Sequence, residues 1–547
     1  MAEKKEIRFS LTTFILILLI IGIISGLTTA IVLIGFTNPT NKEQIADVNE
    51  VVKEPVKKPV VEEVKEDEVK ANIDSFDFNF LKLENQKENK VYSPLSIKYS
   101  LKMLEDATAG ESKNQISKFL NERGLTKYKS NNNLAIANAF FVRDTFKDSI
   151  QTTFNALLKA NYDAELVTDS FESAKVVNDW VENKTFKLLT NLLPDGPIED
   201  DFMLVNTVAI DLDWINTFTT MDGKESNFVH LDFNWAAGAN VIPFKEFNGG
   251  NEVYSAMDVI ATINKYDILE ELGEDNIKAT VKDDYRQYLK DMDEYQDETQ
   301  VDNYLKTFFE TYIPELDTNY GKIFETTDFE FLVNDDVKVF AKDLKESDGT
   351  KLQYVGIMPI KDELSSYVEK VDDATVNNYL SQLKSIQRPE GFKEGVVTNV
   401  IGRIPKFDFN YELDLKEDLK KIGITDVFEQ GKADLSNLTD VQDSYISSAI
   451  HKAKIEFTQD GIKAAAATMY GGKGGGGDYD YFFDVPVEII DITFDKPYMF
   501  LIRDVETGEI WFTGTVYEPK KWEDDPESQQ SETRRYIYFN GKDYDEE

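Results

Sequence analysis

Residues 459 to 477 read Gln-Asp-Gly-Ile-Lys-Ala-Ala-Ala-Ala-Thr-Met-Tyr-Gly-Gly-Lys-Gly-Gly-Gly-Gly, and a strand-like apolar pattern, Ile489 to Phe500, follows. From Ala464 to Thr468 the side chains are small and uncharged. This backbone can therefore slot between two strands of a sheet with little desolvation or steric cost, or stay exposed. Gly461 is read as a hinge, because a residue without Cβ reaches positive φ easily. The run from Gly471 to Gly477 has high chain entropy and is the kind of exposed segment that proteases cut. In isolation the stretch reads equally as a helix start followed by a flexible linker, so the rest of the chain must decide.

Sixty basic against 101 acidic residues give a net charge of −41. Such a surface repels phosphate backbones and excludes nucleic acid as a natural partner. The chain has no cysteine, which removes disulfides, thiolate metal sites and a cysteine nucleophile together. Its two histidines are His230 and His451. A Ser-His-Asp enzyme must use one of them, yet no Gly-x-Ser-x-Gly elbow is present. His451, in Ala-Ile-His-Lys-Ala, reads as a buried structural residue, and His230 has no recognisable partner. The chain is accordingly read as a non-enzyme without metal or cofactor.

Residues 1–10 carry Lys4, Lys5 and Arg8 ahead of the uncharged apolar stretch 11–36, which is long enough to span a bilayer. The positive-inside rule puts the amino terminus in the cytoplasm and the remainder outside. The alternative is a cleaved signal peptide ending near Ala30, in which case the protein is secreted. Ile31 to Phe36 stays apolar beyond that exit and favours an uncleaved anchor. Residues 37–72, rich in Val, Lys, Glu and Pro, cannot bury enough apolar surface to fold and read as a disordered stalk.

A folded domain is expected over residues 73–519. Asn133 to Val142 and the almost continuously apolar Phe202 to Ile210 read as strands, the second as a covered central one. Ala174 to Leu193 reads as a helix, Val397 to Phe409 as one alternating strand, and Leu413 to Ile422 as a short helix. Ile450 to Phe457 leads into the hinge, and Val487 to Phe494, Tyr498 to Arg503 and Glu509 to Tyr517 read as three closing strands. The texture changes over about 219–327, where an acidic, tyrosine-bearing helix around Lys282 to Glu298 lacks the glycine-centred loop of a calcium site and reads as a solvated face. Residues 520–547 read as a disordered acidic tail.

Several motifs, in order, carry a resemblance. They are Tyr92-Ser-Pro-Leu-Ser-Ile97, Thr108-Ala-Gly-Glu111, Val177-Asn-Asp-Trp-Val181 with Asn191-Leu-Leu-Pro194, and Leu204-Val-Asn-Thr-Val-Ala-Ile210 with Trp214. Ile422-Gly-Ile-Thr425, Ala433-Asp-Leu-Ser436, Ile450-His-Lys-Ala453, Lys496-Pro-Tyr-Met-Phe-Leu-Ile-Arg-Asp504 and Phe512-Thr-Gly514 continue them. From about Ile73 to Pro519 the chain resembles the serpin family, in the form typical of bacterial members, with 219–327 looking like an insertion. The resemblance implies an α+β serpin fold with a large central mixed β-sheet, two further sheets, about eight to nine helices and an exposed reactive-centre loop.

It also implies a monomeric suicide substrate of serine-type, or alternatively cysteine-type, proteases. The protease attacks the loop and forms an acyl-enzyme, and the cut loop enters the main sheet as an extra strand. Serpin loop insertion is itself the standard example of this kind of strand addition. The alternative is a serpin fold that does not inhibit and serves as a binding or structural module. Carried over by position, Gln459, Asp460, Gly461, Ile462, Lys463, Ala464, Ala465, Ala466, Ala467 and Thr468 form the hinge of the reactive loop. The scissile bond falls near Gly475-Gly476, within Lys473, Gly474, Gly475 and Gly476. Ser93, Ser96, Asn206 and His451 form the polar shutter cluster under the sheet's opening point, and Trp214 marks the breach where insertion begins. Three hinge positions depart from the family: Gln459 and Lys463 stand where it has Glu, and Ile462 where it has Thr. Lys463 is expected to face solvent harmlessly after insertion. Ile462 is expected to point inward, where its bulk opposes insertion.

Overall fold

The computed structural model describes residues 75–121, 123–216, 218, 240–243, 253–264, 273–307, 310, 329–386, 388, 391–394, 396–458, 461–462, 487–521, 536–539 and 542–545. The apolar stretch 11–36, the stalk, most of the loop and His230 lie outside the described residues. Among the described residues, no helix is long and apolar enough to cross a membrane.

The main sheet contains β2 (Leu134–Arg143), β3 (Glu165–Asp169), β4 (Phe202–Ile210), β5 (Leu212–Asp213), β13 (Phe407–Leu413), β14 (Ser448–Phe457) and the two-residue β15 (Gly461–Ile462). Its order is β3-β2-β4-β14-β15-β5, with β13 beside β14. The sheet is mixed: β2 with β3 and β14 with β4 run parallel, the other pairs antiparallel. β14 alternates half-buried and buried residues along its whole length, as the period-two reading requires. β4 is buried at every position because both faces are covered.

The second sheet has the order β1 (Lys90–Tyr92), β18 (Ile510–Val516), β17 (Tyr498–Asp504), β10 (Leu352–Pro359), β9 (Val337–Asp343), β8 (Glu330–Val333) and β11 (Lys384–Ser385). The third has the order β16 (Val487–Asp491), β12 (Val397–Pro405), β7 (Val253–Asn264) and β6 (Asn240–Pro243). Ten α-helices and three 3-10 turns lie among the described residues. Helix α1 (Asn79–Leu83) precedes α2 (Pro94–Ala107), which is capped by the Ser93 hydroxyl accepting from Ser96 N–H with Pro94 at the first position, a strong start signal. Ile97, Leu101 and Leu104 of α2 join the core cluster that holds Leu204 and Val208 of β4 and Phe512 of β18. Phe407, Phe457, Tyr354 and Phe500 form an aromatic block in that core, with Phe407 and Phe457 stacked at 4.9 Å.

Several sequence expectations are corrected. Val397 to Phe409 is two strands in different sheets, because the Lys406 N–H bonds the Ser255 carbonyl and its own carbonyl accepts from Lys520. The helix expected over 174–193 is Lys175–Lys184 and stops where Phe186, Lys187 and Asn191 adopt positive φ. Inside 219–327, β6 and β7 join the third sheet through the β7–β12 ladder. What remains is a helical pair, Glu274–Asp291 and Glu298–Thr307, built around Ile277, Val281, Leu289 and Val301. The tail expected to be disordered contains a two-stranded hairpin, β19 (Tyr536–Phe539) with β20 (Lys542–Asp545).

Candidate functional site

β4 and β14 lie side by side but are zipped over only one end. Parallel pairing joins Ser448 to Met203, Ala449 to Leu204 and Ile450 to Val205, and the ladder stops there. Toward the other end the strands part, and β15 occupies the opening. Ile462 pairs with Phe457 of β14 on one side and with Leu212 of β5 on the other, while Gly461 pairs with Asp213. Among the described residues a cavity lies below β15, lined by Leu188, Ile210, Lys454, Ile455, Glu456, Ile462 and Phe512.

Two hinge residues are thus already strand residues. The Gly461 requirement is one of space rather than backbone freedom, since its φ is not positive. A Cβ there would stand 2.3 Å from the Leu212 carbonyl oxygen and 2.6 Å from Asp213 Cα, distances no side chain tolerates. Ile462 is buried, with 3% exposure. Its bulk is accommodated among Phe457 and Leu212 instead of being kept out. Asp460 and Gln459, Lys463 to Thr468 and Lys473 to Gly476 lie outside the described residues.

Trp214 is fully buried and its indole N–H donates to the Thr458 carbonyl at 3.0 Å, while its ring packs edge-on against Phe457 at 5.5 Å. The turn from β14 to β15 is closed by Thr458, whose N–H and hydroxyl both donate to the Gly461 carbonyl, at 3.1 and 3.0 Å. Trp214 therefore grips the chain at the first residue after β14.

At the zipped end, His451 Nε2 accepts from the Ser93 N–H at 3.0 Å, and its Nδ1 lies 3.4 Å from the Ser96 hydroxyl. Because a backbone N–H can only donate, Nε2 must be unprotonated and the ring neutral with its proton on Nδ1. Complete burial holds the imidazole pKa down to about 4. Ser93, Ser96 and His451 thus come together. Asn206 does not bond to them: its amide donates to Asn138 Oδ1, and Asn138 in turn donates to the Tyr162 carbonyl at 3.2 Å. The Asn206 Oδ1 is buried and has no partner among the described residues. Asn138 was not singled out from sequence, although an asparagine within the apolar run Ala135 to Val142 is a signal that could have found it. The β5 wall, Leu212-Asp213, was also missed, because a two-residue strand carries no periodicity.

The fold is α+β, with three sheets and a main sheet whose β4 and β14 part at one end around β15. The serpin family profile, described as "Serpin (serine protease inhibitor)", matches residues 71–234 and 324–519, and the chain belongs to the serpin family. It is 21% identical over 450 residues to bovine plasminogen activator inhibitor 1, covering 79% of this chain and 87% of that protein. To human leukocyte elastase inhibitor it is 31% identical over 173 residues, 31% of this chain and 41% of the other. The fold is similar to that of the native thermophilic serpin tengpin, with TM-score 0.53 at 20% identity, covering 81% of this chain and 93% of that one.

Proposed function

We propose that this protein is a suicide inhibitor of serine-type proteases that traps its target by inserting residues 463 onward into the slot between β4 and β14. The observation that carries the reading is the register of β15. Continuing Phe457↔Ile462 and Ile462↔Leu212 residue by residue sets Ala464 between Ile455 and Ile210, at the cavity. The same count sets Ala466 between Ala453 and Val208, and Thr468 between His451 and Asn206. Since side chains directly opposite in an antiparallel pair share a face, Ala464, Ala466 and Thr468 point into the core with Ile455, Ala453 and His451. Ala465 and Ala467 fall on the outer face, which Leu188 covers at the cavity. The inward set is the one that must be small, because β14 is buried on that face and only half-buried on the other. Thr468 would arrive at the side-chain Oδ1 of Asn206, which has no donor among the described residues, and its hydroxyl would supply one.

The chemistry belongs to the protease. Its serine oxygen attacks the scissile carbonyl, an ester forms, and the amine of the following residue leaves with a proton. Hydrolysis of that ester by water would release both fragments. Insertion competes with it: the freed loop end zips down the slot, replaces the three-residue β4–β14 ladder and carries the tethered protease away from the loop's original position. Resistance of the unreacted form is then kinetic. Lys473 and the glycines around Gly475-Gly476 remain the scissile candidates. We further propose that 11–36 anchors the inhibitor as a monomer on the outer face of a membrane.

Incubation with a panel of serine and cysteine proteases tests the reading. A complex that survives boiling in detergent supports it, and mass spectrometry of the released fragment fixes the bond. Cleavage without such a complex and without a gain in melting temperature leaves a binding or structural module instead.

A further inference from the structure

The β4–β14 seam is held beyond its ladder as well as by it. The offset between the two strands is the same at both ends: Phe457 and Leu212 face the same Ile462, and nine residues down each strand Ser448 faces Met203. A strand entering from the open end therefore meets no register shift on its way to the closed one. There the Ser448 hydroxyl donates to Asp200 Oδ2 at 2.8 Å, on the chain that leads into β4 and outside the last ladder pair. Asp200 is fixed from the opposite side by Arg143, the last residue of β2. The Arg143 guanidinium donates from Nη2 to the Asp200 and Ile198 carbonyls at 3.0 and 2.9 Å, from Nε to Asp201 Oδ1 at 2.7 Å and from Nη1 to the Ser170 carbonyl at 3.1 Å. Its backbone N–H donates to the Asp201 carbonyl at 2.9 Å, one step beyond the Val142↔Phe202 pair.

These contacts clip three strands together at one end: β2 through Arg143, β4 through Asp200 and Asp201, and β14 through Ser448. A hydrogen bond to a carboxylate is stronger than one between neutral groups. This one cannot follow a moving strand, because the guanidinium ties the Asp200 backbone to β2 while Ser448 travels with β14. Parting β4 from β14 must therefore break it. We propose that Ser448 and Asp200 form a latch on the closed end of the seam, with Arg143 as its positioning residue, and that release of the latch is the final step of the insertion proposed above. The latch is distinct from the cluster of Ser93, Ser96 and His451, which meets β14 three residues further along. Its place in insertion rests on the inhibitor reading, whereas the closed seam it secures belongs to the uncut chain.

Hydrogen exchange on the full-length uncut chain, read by mass spectrometry over 202–205 and 448–450, reports opening of the seam. Ser448→Ala and Asp200→Ala are each expected to speed that exchange about tenfold, and the double variant no further, since both remove the same bond. Asp200→Asn, which keeps an acceptor oxygen and loses the charge, is expected to do less. Arg143→Gln is expected to match Asp200→Ala; it also releases Ser170 and Ile198, so if it fails to fold the two smaller changes decide. Exchange over 352–357 in the second sheet is expected to stay at the parent rate. The same chains, nicked between Met469 and Asp484 by a metalloprotease that forms no acyl-enzyme, are expected to gain melting temperature about tenfold faster than the nicked parent. Parent-like seam exchange in Ser448→Ala, or effects that add in the double variant, overturns the latch while leaving the inhibitor reading intact. Faster seam exchange with an unchanged insertion rate overturns its place in insertion. Failure of the nicked parent to gain stability removes the inhibitor reading and that place together.

Discussion

The two ends of the β4–β14 seam are built on opposite terms. At the open end the strands are kept apart by a glycine that fits only as glycine, an isoleucine seated between Phe457 and Leu212, and a tryptophan holding the turn. At the closed end, three ladder pairs and a neutral histidine bonded to the cap of α2 hold them together. The contrast teaches where the barrier to the proposed insertion would sit. With Gly461 and Ile462 already paired, the cost of inserting the loop as proposed would be unzipping Ser448 to Ile450 from Met203 to Val205.

The largest effect is expected from placing a charge where the register points a loop residue into the core. Ala466→Arg should abolish covalent complex formation and convert the protein into a plain substrate, since burying an unpaired charge costs several kcal/mol. Gel analysis of complex against cleaved product checks this. An undiminished complex would mean the register is wrong.

Next, Gly461→Val should expel β15 and erase the contrast from the open end. Overpacking of this kind costs about 1–3 kcal/mol. Limited proteolysis around residues 460–463 should become faster, and the uncut chain should melt lower.

The closed end is sharpened by pH. His451 has a folded pKa of about 4, below its ordinary value of 6.5, so the unfolded chain binds the proton first. Its contribution to stability is present above pH 6.5 and is lost as pH falls toward 4, at up to about 1.4 kcal/mol per pH unit. His451→Gln should flatten that part of a urea-melt series across pH. The smallest effect is expected from Trp214→Phe, which keeps an apolar ring but removes the hydrogen bond from the indole N–H to the Thr458 carbonyl, at about 0.5–1.5 kcal/mol. Chemical denaturation of the uncut chain measures it.

Much of this contrast was legible in the sequence, and its reason is physical. Phe202–Ile210 is covered on both faces and so is uninterrupted in hydrophobicity, and Ile450 to Phe457 alternates because one face only is buried. Ser93 and Ser96 stand out because Ser-Pro-x-Ser writes a helix start. What stayed hidden depends on partners far along the chain. The Gly461 constraint comes from the Leu212 carbonyl, and the break at Lys406 from Ser255 and Lys520. The seating of Ile462 was likewise unreadable, because the pocket that receives it is made by Phe457 and Leu212 and has no local signature.

The most direct test is the melting temperature of the chain before and after a single cut in the Gly471–Gly477 run. Strand insertion predicts a rise of about 10 °C or more, which at under roughly 2–4 °C per kcal/mol for a domain larger than 250 residues requires a gain of several kcal/mol. An unchanged or lower melting temperature, with the fragments still associated, would contradict the account.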